Sequence, residues 1–422
     1  MMKFKRILVV ALALVMCLGI MPLAIEAEEA EPVTLDWLWF ADGAETEAAQ
    51  KIIDLYVEEN PHVTINMIET PYDDMQKSVN TAVTGGKPPA LARTTEGIVG
   101  NTLPALVNLG DYMDKDEVLE QYVESVHNFM VYDDQLLAIQ TDVTANGMIY
   151  NKTAFEQAGV EAPLTPEDVW TWEEFAENIK TVVDNSDVRF GLVIDNPVHR
   201  WSTILYEFGG HYIGDDGQAD FDTPESLEAV NFTKMLFDEG IVPHSTWLGG
   251  ENPNDLFRSG QVAVHLSGNW MLTNYEENVE DFEWGVMYLP QAANRSSVPG
   301  GKQIVAFKDT GVEDEAVKFI EFFTNQENNA SYVRDSLFIS ARHDNSQIEY
   351  PFGSEHFEIF ANELANTVPD TSRDLGYPNF SAIQTARREG LLAVIADEMS
   401  AEDYLAEVQA ELEGIIEEAQ AE

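Results

Sequence analysis

The strongest constraint on the fold of this chain is a strand–helix–strand pattern near its N-terminus. Apolar residues alternate with others over Val33–Trp39 and again over Val63–Met67, which is the spacing of β-strands. Between them, apolar residues from Ala44 to Leu55 fall on one face of a helix, and Asn60–Pro61 ends that pattern. Because strands joined through a helix pair in parallel, this segment predicts an α/β fold.

The rest of the chain continues the alternation of strands and helices. Thr171 and Glu174 have the spacing of a capping box, which predicts a helix N-terminus. With 422 residues the chain is too long for one compact core, so we expect two α/β lobes. Further strands are predicted at Ala90–Ala92, Leu136–Asn151, Phe190–Ile194, Gln261–Leu266 and Trp284–Leu289. An apolar stripe near the C-terminus favours a helix packed against a lobe over a helix that binds a partner; it consists of Leu405, Val408, Leu412 and Ile415.

Residues 1–27 have the organisation of a secretory signal. Lys3, Lys5 and Arg6 precede an apolar run over Ile7–Met21, and a polar, acidic segment follows. The run is too short for an ordinary spanning helix, although a retained membrane anchor is the alternative. We therefore expect an exported, extracytoplasmic protein, secreted or held at the cell surface or in the periplasm.

Cys17 is the only cysteine of the chain and lies inside the predicted signal. A mature protein that begins after residue 27 would have no disulfide and no thiol chemistry, so its stability would depend on burial. Lipid attachment at Cys17 is a weaker alternative to cleavage, because Met16 stands where a lipobox has a small residue.

The charge of the chain is strongly negative. It has 75 acidic residues against 23 Lys and Arg, a formal net charge of −52. Nucleic acids and anionic membrane surfaces are poor partners for such a surface. The excess is consistent with a saline or alkaline habitat in which salt screens the repulsion, and equally with a generic solvated acidic face.

No pattern in the sequence indicates catalysis or a bound cofactor. The eight histidines include no pair four residues apart, and the chain has neither a G-x-S-x-G elbow nor a Walker loop. Two carboxylates at any chosen spacing are expected by chance among 75 acids, so paired acids for glycoside hydrolysis carry little information. The segment Asp215–Gly217 is interpreted as a polar turn and not as a calcium loop. We predict no metal, no cofactor and no catalytic residues.

Several tryptophans lie next to glycine or charged residues instead of within apolar stripes. Trp39 precedes Phe40–Gly43, Trp201 follows two basic residues, and Trp270 ends a Ser-Gly-Asn-Trp run. Flat aromatic faces suit the C–H faces of sugar rings, so these three are candidates for stacking on a carbohydrate. Packing in a core is the alternative for each of them.

Four ordered blocks of sequence resemble motifs of one protein family. The chain is similar to the extracellular solute-binding proteins of ABC importers, in the sugar-binding family that includes maltose-binding protein. The blocks are Ile149–Val160 followed by Thr171–Phe175, Phe257–Ala263 with Gly268–Trp270, Asn60–Val63, and Glu315–Phe323.

This resemblance implies a two-lobed periplasmic-binding-protein-like α/β fold with a ligand cleft between discontinuous lobes. The first lobe would comprise 31–142 plus 303–340, and the second 143–302 plus 341–422. Hinge bending between them would close the cleft. The crossings between the lobes are expected near Asp142–Asn146, Pro299–Gln303 and Ser340–Arg342.

The resemblance also implies ligand-binding residues. Trp270 would stack on a sugar ring, and Asp42 resembles the acid that binds sugar hydroxyls after the first strand. The other implied positions along the cleft are Trp39, Thr94, Thr95, Thr144, His199, Trp201, Gly300 and Gly301. Thr144 replaces an acid of maltose-type members, which argues against a maltodextrin ligand. Four cations could serve an acidic sugar instead, namely Arg93, Arg200, Lys302 and Arg373.

The sequence as a whole predicts a non-enzymatic carbohydrate-binding subunit. It would act as a monomer, capture a mono- or oligosaccharide by hinge closure, and deliver it to the transmembrane subunits of an ABC permease. One alternative is a secreted glycan-cleaving enzyme that uses two of the many carboxylates. The other is a sugar sensor that hands its ligand state to a membrane receptor.

Overall fold

The computed structural model describes residues 31–421 apart from 42–43, 196–197, 346 and 378–379. The predicted signal at 1–27, Cys17 within it, and the candidate site residue Asp42 lie outside the described residues.

The strands are β1 (Val33–Trp39), β2 (Val63–Glu69), β3 (Leu91–Thr94), β4 (Val131–Tyr132), β5 (Gln135–Leu136), β6 (Ile139–Asn151), β7 (Phe190–Ile194), β8 (Val262–Gly268), β9 (Trp284–Met287) and β10 (Pro299–Ala306). In the described part of the chain, eight of them form one mixed sheet with strand order β2-β1-β3-β10-β6-β8-β7 and with β9 added beside β6. A separate hairpin is formed by β4 and β5.

The predicted strand–helix–strand unit is confirmed. β1 and β2 pair in parallel, with Val33 opposite Val63 and Trp39 opposite Glu69. The helix between them runs over Glu45–Glu59. Leu55 was expected on its apolar face but is 47% exposed, because the buried face of this helix is formed by its neighbours Ala48, Ala49, Ile52, Ile53 and Tyr56.

β6 is the strand that joins the two halves of the sheet. Its first part pairs antiparallel with β10, from Ile139 opposite Ile304 to Ala145 opposite Pro299. Its second part, from Asn146 onward, pairs with β8 and β9. All thirteen of its residues are buried, as expected for a strand with protein on both faces.

The helices cover both faces of this sheet. The predicted capping box is confirmed at the start of Trp172–Asn185, where Thr171 and Glu174 exchange side-chain and backbone hydrogen bonds. The helices are α1 (Glu45–Glu59), α2 (Tyr72–Thr84), α3 (Glu96–Gly100), α4 (Lys115–Leu119), α5 (Lys152–Ala158), α6 (Trp172–Asn185), α7 (Val198–Glu207), α8 (Pro224–Asp238), α9 (His244–Leu248), α10 (Pro253–Arg258), α11 (Leu272–Asn278), α12 (Glu313–Thr324), α13 (Gln326–Ser336), α14 (Ser354–Ala365), α15 (Pro369–Leu375), α16 (Gln384–Ile395) and α17 (Ala401–Ala421).

Two large apolar cores lie on either part of the sheet. The first core is built around Trp37, whose ring meets Phe319 and Phe323 edge-on at 5.4 and 5.3 Å. The second core contains Trp172 and, from the final helix α17, the buried stripe Leu405, Val408, Leu412 and Ile415. The interpretation of that stripe as a packing face is therefore confirmed.

Candidate functional site

The candidate site lies where two parallel strands of the sheet end. β7 and β8 run side by side, with Ile194 opposite Leu266. After β7 the chain enters α7 through Asp195, and after β8 it enters a short 3₁₀ turn over Asn269–Met271. Carboxyl ends of parallel strands are the usual position of ligand sites in α/β sheets.

Trp270 is placed at this edge by a close approach of its ring to the backbone. A Cβ on Gly268 would lie 1.9 Å from the indole, so only glycine leaves room for the ring there. The guanidinium of Arg200 lies 4.1 Å from the centre of the indole. Both side chains are half-buried. The arrangement is a cation–π pair at the edge of the sheet.

Asp195 contacts the arginine of that pair. Its carboxylate binds the ring Nε2 of His265 and accepts a 2.6 Å hydrogen bond from Ser267 Oγ, and Arg200 Nε lies 3.7 Å away. On its other side, His265 Nδ1 contacts the hydroxyl of Tyr275. Burial opposes ionisation, but His265 and Arg200 hold the pKa of Asp195 well below its usual range.

His199, Thr144 and Gly300 meet beside this pair. Gly300 lies opposite Thr144 in the β6–β10 ladder. A Cβ on Gly300 would be 2.8 Å from Thr144 Oγ1 and 3.6 Å from His199 Nε2. Burial lowers the pKa of His199 to about 3, and the charges of Arg200 and Arg387 act in the same direction. The imidazole is therefore neutral at physiological pH.

Two asparagines hold these turns against β6. Asn146 donates to the backbone carbonyl of His199 at 3.0 Å and to Thr203 Oγ1 at 2.9 Å. Asn269 accepts the backbone N–H of Ala145 at 2.9 Å. Neither was predicted as a site residue, although both lie in segments singled out by sequence, the crossing near 142–146 and the Gly-Asn-Trp motif.

The remaining predicted residues lie farther along the crossing strands. Thr94, the last residue of β3, is buried and donates to the carbonyl of Gln303 on β10. Thr95 is half-buried at the start of α3. Gly301 lies opposite Val143 and has φ of 146°, a conformation that favours glycine.

Two of the three candidate tryptophans lie inside the protein. Trp201 is fully buried in the second core and donates its indole N–H to Thr233 at 2.8 Å. Trp39 is 1% exposed, donates to Thr46 at 3.0 Å, and packs edge-on against Trp37. Their neighbours in sequence are polar, but both side chains point inward, so neither ring face is open to a sugar in this structure. Trp270 alone of the three is at the edge.

Of the four candidate cations, only one contacts Trp270. Arg93 is buried and pairs with Glu45 at 3.2 Å and with Asp142 at 3.8 Å. Lys302 is also buried, with its ammonium 4.1 Å from the ring centre of Phe338. Arg373 pairs with two acids, Asp215 and Asp370. Arg200 alone of the four contacts the tryptophan at the strand ends.

Two cavities lie elsewhere. An open depression of about 700 Å³ runs along α2 between Gln76 and Gly85. A smaller one of about 190 Å³ lies between Tyr122 and Arg342. Among residues 31–421 outside the gaps, no three His, Cys, Asp or Glu side chains converge as metal ligands. In the same residues, no helix has the length and apolar character needed to cross a bilayer.

Comparison with known proteins matches this fold and sequence to one family. The family of bacterial extracellular solute-binding proteins matches residues 41–330, more than half of the chain. The chain belongs to the bacterial extracellular solute-binding proteins. Proteins of this family are periplasmic or surface-located binding proteins that work with ABC permeases, and they are not enzymes.

Individual members of the solute-binding family support the assignment. The arabinooligosaccharide-binding protein of Halalkalibacterium halodurans is 24% identical over 298 residues, 67% of this chain and 66% of that protein. An ABC substrate-binding protein of Listeria monocytogenes, solved in complex with cycloalternan, superposes with a TM-score of 0.78 and 19% identity, covering 92% of this chain and 99% of that one. Maltose-bound MalE3 of T. maritima superposes with a TM-score of 0.76 and 19% identity, covering 91% of this chain and 100% of that one. The predicted family and its two-lobed α/β fold are thus confirmed.

Proposed function

We propose that this protein captures a mono- or oligosaccharide outside the cytoplasm and delivers it to the transmembrane subunits of an ABC importer. It acts as a monomer, breaks no bond in the sugar and binds no nucleic acid. The observation that carries the proposal is the convergence of Trp270, Arg200, His199, Thr144 and Gly300 where the strands between the two cores end. The sugar-binding relatives support the same class of ligand.

The chemistry of the site suits a saccharide. An indole stacks on the apolar face of a pyranose, for which other aromatic contacts give about 0.5–1.5 kcal/mol. The hydroxyl of Thr144 both donates and accepts hydrogen bonds, as sugar hydroxyls require. The neutral imidazole of His199 accepts a hydrogen bond from Arg200 Nη1 at Nδ1, at 3.0 Å, so that its ring proton lies on Nε2. Arg200 covers the indole in this structure and has to move aside, or form one edge of the sugar pocket, when the ligand stacks.

Closure would occur at the crossings. We place the first lobe at 31–142 plus 303–340 and the second at 143–302 plus 341–422, so that Trp270 and Thr94 belong to different lobes. Export through a signal at 1–27, with or without a lipid on Cys17, would bring the protein to its extracytoplasmic site.

The test is a thermal-shift screen of the exported protein across neutral and acidic sugars, followed by calorimetry and solution scattering with the best ligand. We expect a bound sugar, a smaller radius of gyration, and at least about tenfold weaker binding for Trp270→Ala. Trp284→Ala is the matched control, since Trp284 is also half-buried but lies against Tyr275 and His356.

Three results would contradict the proposal. They are new reducing ends after incubation with oligosaccharides, an unchanged dissociation constant for Trp270→Ala, and the absence of compaction with a bound sugar.

A further inference from the structure

Arg387, on α16, is a buried cation without a carboxylate partner among the described residues. Arg387 is 6% exposed, and none of their carboxylates lies within 4.0 Å of its guanidinium. The other described arginines of comparable burial are both paired: Arg93 lies 3.2 Å from Glu45, and Arg342 lies 2.7 Å from Asp344. In a chain with 75 acids and 23 Lys and Arg, a buried arginine without an acid is an exception.

The guanidinium of Arg387 is held by contacts that leave part of its hydrogen-bonding edge unused. It lies 4.2 Å from the ring centre of Tyr212 and 4.5 Å from that of Phe380. One Nη donates to Ser202 at 3.2 Å, whereas Nε has no hydrogen-bond partner among the described residues. Aromatic faces support the plane of a guanidinium and leave its N–H groups directed outward in that plane, which is the geometry of bidentate carboxylate binding.

Asp374 is a buried acid whose hydrogen bonds go to other groups than Arg387. Asp374 accepts hydrogen bonds from the hydroxyl of Tyr206 and from the backbone N–H groups of Tyr212 and Ile213, all at 2.9 Å. It therefore serves the turn after α7 and does not contact Arg387. A buried charge without a counter-charge is costly, and an anionic ligand would offset that cost.

Arg387 belongs to the neighbourhood of the candidate site. Its partner Ser202 is one turn along α7 from His199, so the two side chains share a face of that helix. The charges of Arg387 and Arg200 both act on the His199 ring. Since His199 is itself adjacent to Gly300 and Thr144, the two arginines provide positive charge where the sugar is expected.

We propose that the saccharide taken by this site carries a carboxylate, as a uronic acid unit does, and that Arg387, with Arg200, receives that group. This inference depends on the proposed function and narrows its ligand class. A carboxylate on a sugar ring stacked on Trp270 would offer Arg387 a counter-charge that a neutral sugar does not supply.

The experiment is calorimetry of the exported protein with pairs of monosaccharides that differ only in whether C6 is a carboxylate or a hydroxymethyl group. Glucuronate against glucose and galacturonate against galactose are the two pairs. For at least one pair we expect the acidic member to bind at least about tenfold tighter. Raising NaCl from about 0.05 to 0.5 M should weaken that binding and leave neutral sugars unaffected.

Variants assign the effect to the arginine. Arg387→Gln should reduce the preference to within about threefold. Arg189→Gln, which removes a surface arginine lying 4.8 Å from the ring centre of Phe190, should leave it unchanged. If Arg387→Gln does not fold, two measurements test the carboxylate assignment in its place. They are the preference of the wild-type protein for the acidic member of each sugar pair and the loss of that preference in Arg200→Gln.

The outcomes separate the two proposals. Neutral members binding as tightly as acidic ones would overturn the carboxylate assignment and leave the sugar-binding function intact. Retention of the preference in both arginine variants would also overturn it. Binding of no saccharide in either series would contradict the proposed function itself.

Discussion

Two arginine–tryptophan pairs lie on opposite sides of the crossing strands, and they differ in what surrounds them. Arg93 lies 4.7 Å from the ring centre of Trp39, and Arg200 lies 4.1 Å from that of Trp270. Arg93 and Trp39 are each 1% exposed, whereas Arg200 and Trp270 are half-buried. The same chemical pair is thus a core element on one side and a reachable surface on the other.

The difference comes from the acids around each arginine. Arg93 contacts Phe40 O and pairs with Glu45 and Asp142, so its charge is neutralised inside the fold. Arg200 has one acid within 4.0 Å, Asp195, among the described residues, and that carboxylate is already bound by His265 and Ser267. Arg93, whose charge is balanced by buried acids, stabilises the fold. We expect that Arg200, whose acid also binds other side chains, can give up its contact with Asp195 and bind a ligand instead.

Removing the buried charge should have the largest effect. Arg93→Met leaves two buried carboxylates without their guanidinium, and we expect a loss of about 3–5 kcal/mol in the free energy of unfolding. Arg200→Met should cost less than about 1 kcal/mol, because that pair is partly solvated. Urea unfolding of both variants checks this. Equal losses would remove the distinction between the two pairs.

The tryptophans should separate stability from binding. Trp39→Ala opens a cavity in the first core and should lower the free energy of unfolding by about 3–5 kcal/mol. Trp270→Ala should instead weaken sugar binding at least about tenfold, about 1.4 kcal/mol, with a smaller change in stability. Denaturation and calorimetry on both variants measure the two quantities. A stable Trp39→Ala protein with weakened binding would reverse the assignment.

Alanine substitutions of the two glycines of β10 should have different effects, because an added Cβ would contact different groups at each position. A Cβ on Gly301 would lie 2.3 Å from the backbone oxygen of Asp142, at a φ of 146°, so Gly301→Ala should cost about 1–3 kcal/mol of stability. A Cβ on Gly300 would meet the Thr144 hydroxyl, which can rotate, so Gly300→Ala should mainly weaken sugar binding. The converse result would place the site elsewhere on this strand.

The smallest expected effect is that of pH on binding. His199 has a pKa of about 3 in the folded protein against an ordinary 6.5, so its ring stays neutral and affinity should change less than about twofold from pH 5 to 8. Between those two pKa values the unfolded chain binds a proton that the folded protein does not. The His199 contribution therefore lowers stability as pH falls from about 6.5 to about 3, by at most about 1.4 kcal/mol per pH unit.

Substituting His199 tests this assignment. His199→Gln should reduce the slope of stability against pH in that window, measured by urea unfolding at several pH values. An unchanged slope, or a sugar affinity that rises or falls steeply near pH 6, would show that His199 titrates in the folded state.

Much of the fold could be predicted from local patterns. The parallel β1–β2 pair, the capping box at Thr171 and the packing stripe of α17 each depend on neighbours in sequence and are confirmed. The prediction for the apolar face of α1 was only partly right. Leu55 lies outside the buried face, because packing against neighbouring elements, which sequence spacing does not give, decides which residues of a helix are covered.

The candidate site was harder to predict. Polar neighbours in sequence made Trp39 and Trp201 candidates for stacking on a sugar, with packing in a core as the alternative. A strand alternates its faces and a helix turns successive side chains by about 100°, so polar neighbours do not decide between the two. The indoles therefore point into the cores although adjacent residues do not. Arg387 gave no signal in the sequence, because its burial, and the absence of a carboxylate partner among the described residues, depend on segments far apart along the chain.

The sequence by itself determined the α/β class, the family and the acidic surface, since periodicity, motifs and charge can be read along one chain. Tertiary structure decided which aromatic rings and which arginines are available to a ligand. The physical reason is that the availability of a side chain depends on the charges and rings that surround it, and for Arg93, Arg200 and Arg387 these come from elements distant in sequence.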